Sequence, residues 1–432
     1  MALNTQPYKG ARDFYPEDKR IQKYMFGKLR DVAESFGYQE YDAPVLEPIE
    51  IYLSKSSEEI VSEQTYSFTD RGGRNITMRP EMTPTLARMV AGKRQELAYP
   101  LRLYSIPNLW RYERPQAGRL REYYQPNFDL FGVSGVEGDH ELILLADSIL
   151  QGFGASPDMY EIRINSRQLV NEILSEYIGE SADHVLAVIR LVDHKAKMPH
   201  DDFMEALAKL VPDNKHHDLD KLLHIGSFEE LPDKYQAHPS VKQLLQLKSL
   251  LSSNGVTSVI DDLSLMRGFD YYTDIVFELF DTHPENNRAM AGGGRYDGLV
   301  GLFGVEPIPT VGFAIGDVTL QRFLELHKLL PELHTEVDLV AILIGDVYEE
   351  AQPLLSHLRG LGLNVAVDAT GRKMDTAIRH AAKAGVDCLI FLGEQEINAN
   401  QIKFKHLHTG DDMVLGLDDF DEYIEGWRKS RT

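Results

Sequence analysis

The stretch from Trp110 to Gln125, WRYERPQAGRLREYYQ, carries four arginines and two carboxylates in a chain whose formal net charge is -22. From Arg102 to Arg121 there are five arginines against one acid, Glu113. Arginine suits bidentate recognition of phosphate and carboxylate. Trp110, Tyr112, Tyr123 and Tyr124, interleaved with these cations, can stack on bases. A charge cluster is by default a solvated face. The exclusive use of arginine and the interleaved rings favour a site. If the segment is a hairpin with a long RPQAGR loop, alternation puts Arg111 and Glu113 on one side of the outgoing strand. Arg121, Tyr123 and Gln125 then share one side of the return strand. Such a face offers a cation for a phosphate, a ring for a base and an amide for a polar substrate.

Three further stretches hold residues that can do chemistry. In LMRGFDYYTDIVFE (265–278), Arg267 precedes Gly268, where backbone can approach a ligand, and Tyr271 and Tyr272 face opposite ways on a strand. A buried arginine there needs an anion, and a structural carboxylate partner is the plain alternative. In AGGGRYDGL (291–299), three glycines precede Arg295 and Asp297. This is not a Walker loop, because its lysine and Ser/Thr are missing, and a glycine run alone is more often a turn. In TMRPEMTPTLAR (77–88), Glu81 and Thr83 open a helix beside its donor end, which by spacing alone reads as a cap. His216, His217 and His224 lie in a Lys- and Asp-rich helical stretch that reads as a solvated face, so no protein-held metal is expected.

The elements that must position these residues follow from periodicity. Residues 18–37 recur at helical steps and end at Gly37. Gln39–Tyr41, Tyr66–Thr69, Ile76–Met78 and Leu101–Ile106 read as strands, with Arg71-Gly72-Gly73-Arg74 as a hairpin turn. A helix is expected over 83–94, a strand over Asn127–Val133 and a helix over 138–153. Residues 166–254 are mostly helical in pattern and read as an insertion in a larger antiparallel α+β domain. Strands return at Val259–Asp261 and Tyr272–Phe280. From Val337 onward, strands and helices alternate, which implies a small α/β domain with a largely parallel sheet. The predicted domains are 1–330, interrupted by 166–254, and 333–432.

At 432 residues the chain is too long for one core. The opening MALNTQPYKGARDFYPED has no apolar run, and no stretch is apolar enough to span a bilayer. Cys388 is the single cysteine, which excludes an intramolecular disulfide and a cysteine cage and points to a cytoplasmic protein. The net charge argues against nonspecific nucleic-acid binding without excluding a local positive site.

Together these stretches resemble histidyl-tRNA synthetase, a class II aminoacyl-tRNA synthetase, over nearly the whole chain. RYERPQAGRLREYYQ looks like motif 2, MRGFDYYTDIVFE and AGGGRYDGL like the two histidyl signature stretches, GYQEYDAPVLEP (37–48) like the dimer-forming motif 1, and VGFAIGDVTL (311–320) occupies the place of motif 3. The resemblance implies an antiparallel six-stranded sheet with flanking helices and a C-terminal α/β anticodon-binding domain. It implies a histidine–tRNA ligase: L-histidine and ATP give histidyl-adenylate, and the histidyl group passes to the 3′ end of tRNA(His). It also implies a homodimer and Mg²⁺ on the β- and γ-phosphates.

Carried over by position, Arg111 and Arg267 would flank the α-phosphate and stabilise the charge of the reaction. Glu113 would bind the adenine amino group, with Tyr123 close to the nucleotide and Arg121 near the phosphates. Glu81 and Thr83 would bind the histidine α-amino group with Gln125 nearby, Tyr271, Tyr272 and Asp129 would line the imidazole pocket, and Gln116 would approach the tRNA acceptor end. Two positions depart from the family pattern. Thr319 stands where motif 3 normally has an arginine for the ATP γ-phosphate, with Val318 in place of the preceding acid, and Arg322, nearly one helical turn on, is the expected substitute. Asp129 stands where a longer acid is expected. The alternative is a non-catalytic histidine-sensing paralogue, the regulatory subunit of ATP phosphoribosyltransferase, which typically lacks the anticodon-binding domain. A third is a pseudo-synthetase that binds RNA or regulates a kinase.

Overall fold

The computed structural model describes residues 3–53, 64–116, 118–179, 182–195, 198–212, 215–266, 271–286 and 288–431. The chain divides into two compact units, 1–14 with 22–330 and 15–21 with 331–432.

The part of helix α1 (Pro16–Ser35) that belongs to the first unit buries Met25, Phe26, Leu29 and Ala33 at three- and four-residue steps. Gly37 follows it with φ +81°, a conformation that side chains resist. Strand β1 (Gln39–Glu40) leads to a three-stranded antiparallel sheet of β2 (Leu46–Pro48), β3 (Tyr66–Thr69) and β4 (Asn75–Met78), with β4 in the middle. The β3–β4 turn is the one expected. The Asp70 carboxylate accepts from the amides of Gly72 at 2.8 Å and Arg74 at 2.9 Å, standing in for backbone acceptors.

After helix α2 (Thr83–Gly92) come β5 (Leu101–Ser105), β6 (Asn108–Trp110), β7 (Glu122–Tyr124), β8 (Asn127–Phe131), helix α3 (Val136–Gly152) and β9 (Tyr160–Ser166). Then follow β10 (Val259–Asp261), β11 (Ile275–Asp281), β12 (Ala289–Arg295), β13 (Thr310–Ile315) and helix α4 (Asp317–Leu326). The main sheet has the order β1-β5-β8-β13-β12-β11-β9-β10. Its six inner strands are all antiparallel, as the sequence led us to expect. A short parallel strand extends each edge, β1 on β5 and β10 on β9. Both edge segments read as strands in the sequence, but two or three residues cannot reveal which way they pair.

Strand β8 is buried at all five positions. Its Phe128 stacks on Phe313 of β13 with ring centroids 4.8 Å apart. Burying such a side chain contributes about 1.5–3 kcal/mol, which anchors the middle of the sheet on which the polar side chains of the site are mounted.

Residues 167–253 are helical in the main, from Arg167–Ile178 to Pro239–Ser253. The prolines there start helices more than they break them. Pro199 and Pro232 are N-caps and Pro239 sits in a first turn, where a missing N–H costs nothing. The insertion does not separate as a unit of its own.

The second unit holds a five-stranded sheet of β14 (Leu339–Ile344), β15 (Val365–Asp368), β16 (Cys388–Gly393), β17 (Gln401–His406) and β18 (Asp412–Gly416), in the order β15-β14-β16-β17-β18. Its first three strands are parallel, as expected, and β16, β17 and β18 are antiparallel. The β17–β18 hairpin is a correction to the largely parallel sheet. Its signal is brief: Ile402 and Phe404 are buried while Lys403 and Lys405 between and after them are not.

Candidate functional site

Strands β6 and β7 pair with Leu109 opposite Tyr123, so the arginine-rich stretch is a hairpin. The pairing ends at Trp110, and irregular backbone follows. Arg111 and Glu113 are therefore not placed by strand alternation. Hydrogen bonds place them instead. The Arg111 Nε donates to the Pro80 carbonyl at 2.9 Å, and the Tyr123 hydroxyl donates to the same oxygen at 3.1 Å. Burial pushes the Tyr123 phenol up to about 12, so it stays a donor at neutral pH. Glu113 is 8% exposed and ion-paired to Arg119 at 2.5 Å. Gln116 and Arg119 close the loop on each other by two backbone bonds, of 3.0 and 2.9 Å.

The structure brings these groups to two adjoining cavities, each of about 190 Å³, whose walls share Arg111, Gln125, Gly292 and Ala314. The first cavity is acidic and aromatic. Glu81, Thr83, Asp129, Tyr271, Tyr272 and Tyr296 contribute to its wall. Glu81 is not the cap that spacing suggested, for the N-cap of α2 is Met82, which makes no side-chain capping bond. Glu81 is buried and accepts from the Tyr271 hydroxyl at 3.2 Å. Asp129 accepts from the Tyr296 hydroxyl through Oδ1. Its other oxygen, Oδ2, is buried and has no hydrogen-bond partner among the described residues. Burial pushes the Asp129 carboxyl up to about 7, only partly offset by the Tyr296 bond. A cavity with two buried acids among phenols suits a small ligand with several N–H donors.

The second cavity runs from Arg111, Glu113 and Tyr123 to Gly118, Val318 and Thr319. The glycines of β12 make room for this arrangement. A β-carbon on Gly293 would strike the Gly312 carbonyl and Phe313 of β13, and one on Gly312 would strike the Asp129 carboxylate. The glycine run is thus part of strand β12, whose neighbour approaches too closely for side chains, and the turn comes only after Arg295, at residues 297–299.

Three candidate residues stand outside both cavity walls. The Arg121 guanidinium lies 3.9 Å over the Tyr112 ring, with bonds of 3.0 Å to the Glu113 carbonyl and to the Tyr8 hydroxyl. Arg322 is exposed and is paired with Glu285 at 2.8 Å. Gln116 is at the exposed loop tip. Arg267 lies outside the described residues. Arg295 is paired with buried Asp139 at 2.5 Å and with two carbonyls, so it holds α3 to the sheet. Among the described residues, no group of three or more His, Cys, Asp and Glu is placed to hold a metal.

Tyr296, Arg119 and the Arg12–Asp317 pair are parts of the site that the sequence reading did not single out. Tyr296 had a signal, for it follows Arg295 and must face the opposite side of the chain. The 2.6 Å pair of Arg12 with buried Asp317 had none, being 305 residues apart.

Histidyl-tRNA synthetase is the family whose model matches residues 10–319, and an anticodon binding domain model matches 338–427. A histidine–tRNA ligase of Leptospira biflexa is 40% identical over 423 residues, 96% of each chain. One from Thermoplasma volcanium is 37% identical over 429 residues, 98% of this chain and 99% of that one. The histidyl-tRNA synthetase structure from Nostoc sp. PCC 7120 superposes with a TM-score of 0.81 over 98% of this chain and 99% of its own, at 23% identity, which speaks to the fold. By the reach of the family model and the identity to full-length relatives, this chain belongs to the histidyl-tRNA synthetases.

Proposed function

We propose that the chain activates L-histidine with ATP and transfers the histidyl group to tRNA(His), with its two adjoining cavities taking the amino acid and the nucleotide. The observation that carries this is their meeting at Arg111. Glu81 and Thr83 hold the α-ammonium group, with Gln125 beside them, and Asp129, Tyr271 and Tyr272 receive the imidazole. Glu113 accepts from the adenine amino group while Tyr123 packs near the base.

At the junction a histidine carboxylate oxygen forms a bond to the α-phosphorus. The bond from that phosphorus to the bridging oxygen breaks, and pyrophosphate leaves with the electron pair. Arg111 stabilises the charge that builds on the α-phosphate, and Arg267 takes the opposite side by its place in the family pattern. The chain's contribution is orientation and a fixed positive field, and removal of one such donor typically costs about 10²–10³ in rate. In the second step a terminal ribose hydroxyl of the tRNA attacks the histidyl carbonyl, loses its proton, and AMP departs. Gln116, exposed at the loop tip, faces that acceptor end. Arg121 supports the loop through Tyr112 and the Glu113 carbonyl instead of touching phosphate.

Mg²⁺ would come in with ATP as part of the substrate and would offset the charge of its β- and γ-phosphates. Residues 1–330 form the catalytic domain with its 166–254 insertion, and 333–432 read the anticodon. A cytoplasmic homodimer fits the lone buried Cys388 and the exposed Val45 and Leu46 of the motif 1 stretch. Among the described residues no helix is long and apolar enough to cross a membrane.

The histidine-sensing regulatory reading is not favoured, because the anticodon-binding match and the full-length ligase relatives both cover the part such a subunit lacks. Charging of tRNA(His) with labelled histidine tests the proposal. Histidylation that depends on ATP supports it, and binding of histidine without charging would return the weight to the sensor.

A further inference from the structure

We propose that Arg12 is a positioning residue for the nucleotide, the centre of a segment, residues 8–14, that ties two walls of the second cavity to each other. This rests on the nucleotide reading of that cavity. None of residues 8–14 lines either cavity, so the segment acts through what it holds.

Its contacts go to two elements that lie far apart in the chain. One is the arginine-rich hairpin. The Gly10 carbonyl accepts from the backbone amides of Arg121 at 2.9 Å and Glu122 at 3.1 Å, at the start of β7. Gly10 has φ +87°, and a β-carbon there would come 2.8 Å from Arg121 Cγ, so a glycine lets the arginine stem lie across the turn. The Arg121 guanidinium then reaches the Tyr8 hydroxyl at 3.0 Å, and the Phe14 ring meets Tyr124 edge-on with centroids 6.3 Å apart. The other element is the first turn of α4. Arg12 Nη2 donates to Asp317 Oδ2 at 2.6 Å, while Asp317 Oδ1 accepts from the Tyr124 backbone amide at 3.1 Å. One buried carboxylate thus joins β7, α4 and the segment. Burial raises the Asp317 carboxyl, and Arg12 is the leading influence against that rise.

The plain alternative is a segment that only covers apolar surface. None of residues 8–14 is buried, and Tyr8 is 52% exposed. Apolar burial is therefore a small part of what the segment does, and its directed contacts are polar. The geometry also sets which ligand should respond. Residues 118–120 of the hairpin loop and 316–319 at the start of α4 line the second cavity and not the first. Glu81, Asp129 and Tyr271 of the first cavity have no contact with the segment among their hydrogen bonds described above. Loosening Arg12 from Asp317 lets the loop and α4 part, which misplaces the nucleotide and spares histidine.

The test is histidine-dependent ATP–pyrophosphate exchange by the unmodified chain, Arg12→Ala, Arg12→Lys, Tyr8→Phe and Arg30→Ala, with KM taken for ATP and for histidine in turn. Arg30 pairs with Glu40 at 3.1 Å and neither lines a cavity, so Arg30→Ala controls for loss of an ion pair in itself. Arg12→Ala should raise the KM for ATP about tenfold, the lower end of the loss for a charged hydrogen bond, and leave the KM for histidine unchanged. Arg12→Lys keeps a cation beside Asp317 and should recover part of the ATP KM. Tyr8→Phe removes only the exposed hydroxyl that Arg121 reaches and should move the same constant in the same direction, so the split is read even if Arg12→Ala does not fold. An unchanged KM for ATP, an equal rise for histidine, or the same rise in Arg30→Ala would each overturn the proposal while parental exchange left the nucleotide reading standing. A parent without exchange would remove both.

Discussion

Asp129 shows how one side chain carries cost and function together. It is 3% exposed, its carboxyl is pushed up to about 7 by burial, it lines the first cavity, and its buried Oδ2 has no hydrogen-bond partner among the described residues. The unfolded carboxyl titrates near 4, so the folded chain binds this proton more tightly. Asp129 therefore makes stability fall as pH rises from about 4 to about 7, and adds no further slope above that. Asp129→Asn removes this contribution. The stability of the unmodified chain relative to the variant, from paired urea midpoints, should fall across that window. The same variant should bind histidine roughly ten- to a hundredfold more weakly, the usual loss for a charged hydrogen bond. A flat stability difference with unchanged histidine affinity would mean that Asp129 neither titrates there nor touches the ligand. Residue types singled out Arg111 and Glu113, whereas Glu81 read as a helix cap by spacing and became a binding candidate only through the family resemblance. Residue types could not show that Arg121 and Arg322 turn to Tyr112 and Glu285, since side-chain direction depends on neighbours distant in the chain.

Among the elements, β12 is the one whose sequence is most constrained. Its glycines let β13 come close, and Gly293 would meet the backbone carbonyl of Gly312, which cannot rotate aside. Gly293→Ala should lower the unfolding free energy by about 1–3 kcal/mol, as overpacking does, and weaken both ligands. Gly298→Ala, whose β-carbon would meet nothing within 4 Å, is the matching control and should change little. Equal urea midpoints for the two variants would contradict the close-approach reading. The sequence displayed the glycine run, yet a run of three glycines reads as a turn until the pairing of β11, β12 and β13 is known. The same limit hid the β17–β18 hairpin and the parallel edges of the main sheet. Pairing direction is a tertiary property, which neither the two- and three-residue edge strands nor the longer β17 and β18 encode in their own pattern.

At the scale of the whole molecule, a chain of net charge -22 places Arg111 and Arg119 on the walls of its two adjoining cavities, where the proposed reading puts the nucleotide. The exposed Val45, 41% accessible, and Leu46, 47% accessible, lie in the stretch that resembles a dimer-forming motif. Val45→Asp with Leu46→Asp should convert a dimer to a monomer by light scattering, at unchanged far-ultraviolet circular dichroism. A parent that is already monomeric at micromolar concentration would contradict the dimer. The periodicity of the sequence changes near Pro331, where the structure also divides, but nothing in the pattern of residues 15–21 signals that they group with the second unit.

The account stands most directly on histidine-dependent ATP–pyrophosphate exchange, measured against a panel of the other amino acids. It predicts exchange with L-histidine alone, abolished or greatly slowed in Arg111→Ala. Binding of histidine with no exchange, or exchange driven equally by another amino acid, would contradict it.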